Sequence, residues 1–143
     1  FSECYVKLFG GGTAYLKLTD PGDVLSSGID IEVQPPGKKL QSLYLLSGGE
    51  RALTVIALLF ALLSYSPAPF CILDEIDAAL DEANVERFSS YLNRVNKETQ
   101  FIVVSHRKKT MEAAEVLQGV TMVERGVSRL LTVAFEDVKE DLA

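Results

Sequence analysis

The chain predicts an α/β lobe in which a βαβ core is joined to a small antiparallel sheet. Three observations carry this. Two apolar runs, 70–73 and 101–104, each end in polar residues, the pattern of strands buried on both faces of a parallel sheet. Between them lies an amphipathic stretch of the kind that forms a helical crossover. Ahead of them, short β-rich segments are separated by Gly-rich or Asp-Pro-Gly turns.

Taken in order, Tyr5–Phe9, Ala14–Leu18 and Ile29–Val33 show alternation or β-rich composition and predict three antiparallel strands. Pro35-Pro36-Gly37 is a connector. The run Ala52–Leu63 is apolar on all sides and predicts a helix buried within the lobe, interrupted only by Thr54, whose hydroxyl can bond back to a carbonyl. It is shorter than the ~20 residues a bilayer needs. Pro67 and Pro69 mark the start of the strand at Phe70. Glu82–Val95 places Val85, Phe88, Leu92 and Val95 at helical spacing. Leu117–Val123 and Ser128–Ala134 flank Glu124-Arg125-Gly126 as a closing hairpin, with Phe135 as its last apolar residue. The acidic tail 136–143 reads as a frayed helical turn. The expected organisation is one lobe over 1–143: strands and connector (1–40), core (41–116), closing hairpin (117–135) and tail (136–143).

Composition sets bounds. With 143 residues and 48% hydrophobic content, the chain can bury one sizeable core. A net charge of −6 argues against a surface coated for nucleic acid. Lys38-Lys39 and Arg107-Lys108-Lys109 read as solvated loops. Cys4 and Cys71 lack metal-type spacing and read as buried thiols of a reducing compartment. No signal peptide is visible.

The chemistry starts at Ser47-Gly48-Gly49-Glu50, just before the apolar run. A Ser-Gly-Gly turn opening a helix leaves backbone N–H groups aimed outward with no side chains in the way, and the helix end is partly positive, so it suits an anion. The plain alternative is a Gly-rich helix start with a Ser cap. Asp74 and Glu75 stand where the first parallel strand ends, the place where α/β folds put ligands. An Asp there can hold Mg²⁺, which bridges nucleotide phosphates, and a neighbouring Glu can orient or deprotonate the attacking water. Asp81 closes Ala78-Ala79-Leu80-Asp81 and is also a natural N-cap for the helix that follows. His106, the single histidine, sits at the tip of the second strand and is a ligand-contact candidate.

Together these residues resemble the motifs of ATP-binding-cassette ATPases. Leu46-Ser47-Gly48-Gly49-Glu50 resembles the signature motif, Phe70 to Glu75 the Walker B strand, Ala78 to Asp81 the D-loop, and His106 the switch histidine. Phe9-Gly10-Gly11-Gly12-Thr13-Ala14, Gly28-Ile29-Asp30-Ile31, Gln34-Pro35-Pro36-Gly37-Lys38-Lys39 and Leu73–Asn84 are similar to the carboxyl-terminal head half of structural maintenance of chromosomes (SMC) proteins of the bacterial condensin type. A P-loop, Gly-x-x-x-x-Gly-Lys followed by Ser or Thr, is missing from the chain. In the family it lies at the other end of a long polypeptide, so the resemblance implies half of a split domain. Phe1, which is not a natural start, agrees.

The resemblance implies an ATPase that uses ATP and Mg²⁺ to engage and disengage two heads, and so condenses and segregates chromosomes. Asp74 would be the metal aspartate, Glu75 the general base, and His106 a contact of the γ-phosphate or its water. Ser47, Gly48, Gly49 and Glu50, with Asp81, would serve the nucleotide of the opposite head. Arg51 either binds a partner or pairs with an acid, and the pairing is the favoured expectation. The implied partners are the amino-terminal P-loop half of the same polypeptide, a second head in a homodimer, a kleisin winged-helix domain, and DNA through the full complex. No membrane is implied, and the place is the cytoplasm, on the nucleoid. Alternatives are a kleisin-docking module without turnover, or the head of a related DNA-repair ATPase.

Overall fold

The structure, a computed structural model, describes residues 1–95 and 99–134. Phe135 and the expected tail 136–143 lie outside the described residues.

The first expected strand is a helix, α1, Ser2–Phe9. Cys4, Tyr5, Leu8 and Phe9 are its buried residues, and they fall on one face only at helical spacing. The Tyr5 and Phe9 rings stack with centroids 4.1 Å apart. Residues four apart in a strand would be separated by about 13 Å, so this contact requires the helix. Gly10 ends it in the left-handed conformation, with φ 71°. At Gly12, φ is 83° and a Cβ would fall 2.3 Å from the Gln34 carbonyl oxygen, so only glycine fits.

Two of the expected front strands form. β1 (Thr13–Leu18) runs antiparallel to β2 (Ile29–Gln34), with Thr13 opposite Gln34 and Leu18 opposite Ile29. The third strand of this sheet is β3 (Gln41–Ser42), paired to the other edge of β2, and takes the place expected for Tyr5–Phe9. A 3-10 turn, Leu43–Leu45, leads into α2, Gly48–Tyr65.

The βαβ core is present as expected. β4 (Phe70–Asp74) and β5 (Gln100–Val104) are parallel and in register, Phe70 opposite Gln100 and Asp74 opposite Val104. α3 (Glu82–Leu92) lies between them in sequence, and a short α4 (Lys108–Glu112) forms where a solvated basic loop was expected. Phe60 of α2 anchors the core, with ring centroids 5.0 Å from Tyr91, 5.8 Å from Phe101 and 6.3 Å from Phe88. β6 (Val116–Glu124) and β7 (Val127–Ala134) form the closing hairpin across Arg125-Gly126, and most of their side chains are exposed.

Two burial expectations fail in the same way. α2 buries Leu53, Thr54, Ile56, Ala57 and Phe60 but leaves Val55, Leu62 and Tyr65 exposed. β4 and β5 bury one face only: Phe70 is 56% exposed, Ile72 60%, Ile102 47% and Val104 50%. Their other face, including Leu73, meets the core. The alternation of bare and covered residues shows a sheet with layers on one side. α2 is also longer than the run Ala52–Leu63; with 18 residues and mean hydropathy 1.4 it meets the length and composition of a membrane span. Its inner face lies in the core, and an ion pair buttresses its capped first turn, the pattern of a core helix with one side uncovered.

Candidate active site

The site is built on two helix starts and two strand tips. Ser47 caps α2 in a closed capping box. Its Oγ donates to Glu50 Oε2 at 2.8 Å, its N–H donates to the same oxygen at 3.2 Å, and the Glu50 N–H points back to Oγ at 3.4 Å. The first intrahelical bond is Arg51 N–H to the Ser47 carbonyl at 2.9 Å, so Gly48 and Gly49 carry the open N–H groups of the first turn. A Cβ on Gly48 would meet nothing within 4 Å, leaving the main chain open to approach. Thr54 Oγ1 donates to the Glu50 carbonyl at 2.7 Å, the back-bond its position implied.

Behind this turn stands Lys38, 2.8 Å from Glu50 Oε1 and 3.0 Å from Oε2. It is a positioned partner, not the free cation of a solvated loop. The hydrogen bond from Lys38 is the main cause holding the Glu50 carboxyl below the usual carboxylate range, and the bonds from Ser47 add to it. Any stability this network contributes is present near neutral pH and is lost as pH falls through that lowered value. Burial, and secondarily the Glu50 charge, pushes the phenol of Tyr5 up to about 12. Glu50, expected to serve the nucleotide, bonds to both Ser47 and Lys38. Arg51 is exposed, and the ion pairs found among the described residues do not include it.

Asp74 and Glu75 stand exposed at the tip of β4. Glu75 has φ 47°, the one positive value at a non-glycine among the described residues, and its N–H donates to the Val104 carbonyl at 2.9 Å. That backbone is costly by about 1–3 kcal/mol and persists because the neighbouring strand fixes it. The bond draws the tips of β4 and β5 together, and the exposed His106 follows two residues after Val104. Asp81 caps α3: Oδ1 accepts from the Asn84 N–H at 2.9 Å and Oδ2 from Asn84 Nδ2 at 3.1 Å. The two helix starts adjoin, since a Cβ on Gly49 would lie 3.4 Å from the Ala79 carbonyl oxygen and 3.9 Å from Asp81 Oδ2.

Sequence reasoning missed Lys38 and a buried carboxylate, Asp77. The signal for the second was an acid flanked by Ile76 and Ala78-Ala79-Leu80. Among the described residues no three His, Cys, Asp or Glu side chains gather as a metal cage. One exposed Asp with an adjoining Glu is instead the donor set that suits Mg²⁺, which keeps several waters and takes the rest of its ligands from phosphates.

Comparison with known proteins adds family and fold. The model of the family described as RecF/RecN/SMC N terminal domain matches residues 23–129. The chromosome partition protein Smc of Bacillus subtilis is 62% identical over 140 residues, which are 98% of this chain and 12% of that protein. The chain therefore spans about an eighth of the length of the curated relatives it matches. The Smc head domain of Pyrococcus furiosus, solved with an extended coiled coil and bound to the C-terminal domain of ScpA, superposes with a TM-score of 0.88. Identity there is 42%, covering 99% of this chain and 35% of that one. A chain from structural work on ATP-driven dimerization and DNA-stimulated activation of SMC ATPases gives a TM-score of 0.85 at 41% identity, covering 99% of this chain and 85% of that one. The matching family model carries the description of an N terminal domain, whereas the sequence motifs point to a carboxyl-terminal half. The terminal label is corrected accordingly; what stands is a portion of an SMC head without the phosphate-cradling loop.

Proposed function

The chain belongs to the RecF/RecN/SMC family, and from that premise we propose that it is part of an SMC ATPase head which hydrolyses ATP between two engaged heads and is inactive alone. One observation carries this reading: the lobe has the carboxylate pair and the open Ser-Gly-Gly turn but no phosphate-cradling loop, and the sheet bearing the carboxylates is bare on one face. A P-loop half covering that face would bring its phosphates to the tips of β4 and β5.

Within one head, Asp74 would hold Mg²⁺, which would supply charge neutralisation of the phosphates. Glu75 takes a proton from the attacking water, and His106 contacts the γ-phosphate or that water. The Ser47 hydroxyl and the Gly48 and Gly49 N–H groups face the nucleotide of the opposite head, with Glu50 and Lys38 fixing Ser47. Asp81 lies at the contact between heads. ATP thus acts as shared anion, and hydrolysis removes what both surfaces bind. The wider role is chromosome partition, which the printed name of the Bacillus subtilis relative supports; the place is the cytoplasm, and DNA is engaged through the full complex.

A kleisin winged-helix domain is the expected further partner, supported by the ScpA domain on the Pyrococcus furiosus head. Val116, Val120, Met122 and Leu130 are exposed and share one face of the β6–β7 hairpin, an apolar surface that suits packing of a small domain. The test is ATPase rate against the concentration of complete heads. Specific activity should rise with concentration, because each site needs two heads, while this chain alone gives no turnover. Activity independent of head concentration would overturn the shared site. Kleisin binding with no turnover in complete heads would favour a docking module.

A further inference from the structure

Asp77 is fully buried in the turn between Glu75 and Asp81. Its Oδ2 accepts from Ser105 Oγ at 2.6 Å and from Thr110 Oγ1 of α4. Arg107 returns the link from the other side, with Nη2 donating to the carbonyls of Ala78 at 3.3 Å and Leu80 at 3.1 Å. Ser105 Oγ also accepts the Arg107 N–H at 3.0 Å. The residues directly before and after His106 are therefore both tied to the turn that ends in Asp81. His106 itself is exposed and owes its place to these neighbours.

A buried carboxylate is costly unless hydrogen-bonded, and removing an acceptor leaves its donors unmet. A leucine or valine at this position would fill space without that liability. The polar group instead ties two loops together, the turn that ends in Asp81 and the segment that carries His106. Resting on the shared-site reading above, we infer that Asp77 is a positioning residue which couples the turn bearing Asp81 to His106, so that the contact between heads sets the histidine's geometry for hydrolysis.

The experiment uses intact ATPase heads carrying Asp77→Leu, Ser105→Ala, and both together, with Asp77→Asn as the conservative variant. Both bonds fall on Oδ2, so asparagine can keep them with its single amide oxygen, whereas leucine keeps the size and removes the acceptor; the melting temperature is measured alongside. The expected result for Asp77→Leu is kcat lowered by about 10- to 100-fold, with KM for ATP and monomer nucleotide affinity within about twofold of the parent, and Asp77→Asn closer to the parent than Asp77→Leu. The double variant should be no slower than Asp77→Leu, since both changes break one link. Unchanged kcat in folded Asp77→Leu and Ser105→Ala heads, or a rise in KM with kcat retained, would overturn the inference while leaving the shared site standing. Additive losses in the double variant would also overturn it. A parent head with no turnover at all would instead count against the shared-site reading and take this inference with it.

Discussion

Glu75→Gln in a complete head is expected to slow ATP hydrolysis roughly 10²–10⁴-fold while Mg-ATP stays bound and the engaged dimer persists. The amide keeps the shape and can still orient a water, but it cannot take a proton. At 1.36 kcal/mol per tenfold, this amounts to about 3–5 kcal/mol in the barrier. The Glu75 backbone is held at φ 47° by a bond to the next strand, so the fold fixes where this residue's main chain sits at the strand tip. Asp74→Asn should behave differently, since it weakens the Mg²⁺ contact and with it nucleotide affinity. Single-turnover hydrolysis with sedimentation of the nucleotide-bound heads checks both. Equal loss of nucleotide binding in the two variants would show that the roles are wrongly divided.

Ser47→Arg is expected to abolish ATP-dependent engagement, and turnover with it, without loss of ATP affinity in the monomeric head. Arginine projects into the space that the opposite nucleotide would occupy and takes away the Oγ that closes the capping box. Losing the cap alone costs about 1 kcal/mol, too little to unfold a head. Ser47→Thr is the control, because it keeps the capping oxygen. Nucleotide affinity by calorimetry beside sedimentation separates the two steps. A Ser47→Arg monomer that no longer binds ATP would put Ser47 in its own head's site.

The parts of the fold legible in sequence are those fixed by local chemistry. Asp74 and Glu75 at a strand tip, Asp81 as a cap and the Arg125-Gly126 turn follow from short patterns. The Ser47–Glu50 spacing is also that of a capping box, a signal strong enough to have placed Glu50 against Ser47. α1 was not legible because Tyr5-Val6-Lys7-Leu8-Phe9 alternates apolar and polar residues only in part, and its aromatics favour strands locally. Packing against α2 and α3 decides it as a helix. Asp77 and Lys38 escaped because their partners are distant in sequence: Ser105 lies 28 positions from Asp77, Thr110 lies 33 from it, and Glu50 lies 12 from Lys38. The burial of α2 and the sheet was misjudged for a related reason. An apolar run favours burial, but folded proteins also expose much apolar surface, so the run alone does not say which of its residues this segment covers.

The bare face of β4 and β5 therefore offers the most direct measurement. Mg-ATP is titrated by calorimetry into this chain alone, into an equimolar mixture with the P-loop half of the head, and into the same mixture carrying Ile72→Glu. Ile72 is 60% exposed, so the charge leaves the lobe's own core untouched. The expected result is no measurable binding by the chain alone, a Kd of about micromolar in the mixture, and loss of that binding with Ile72→Glu. Micromolar binding by the chain alone, or a mixture indifferent to Ile72→Glu, would contradict a site completed across this face.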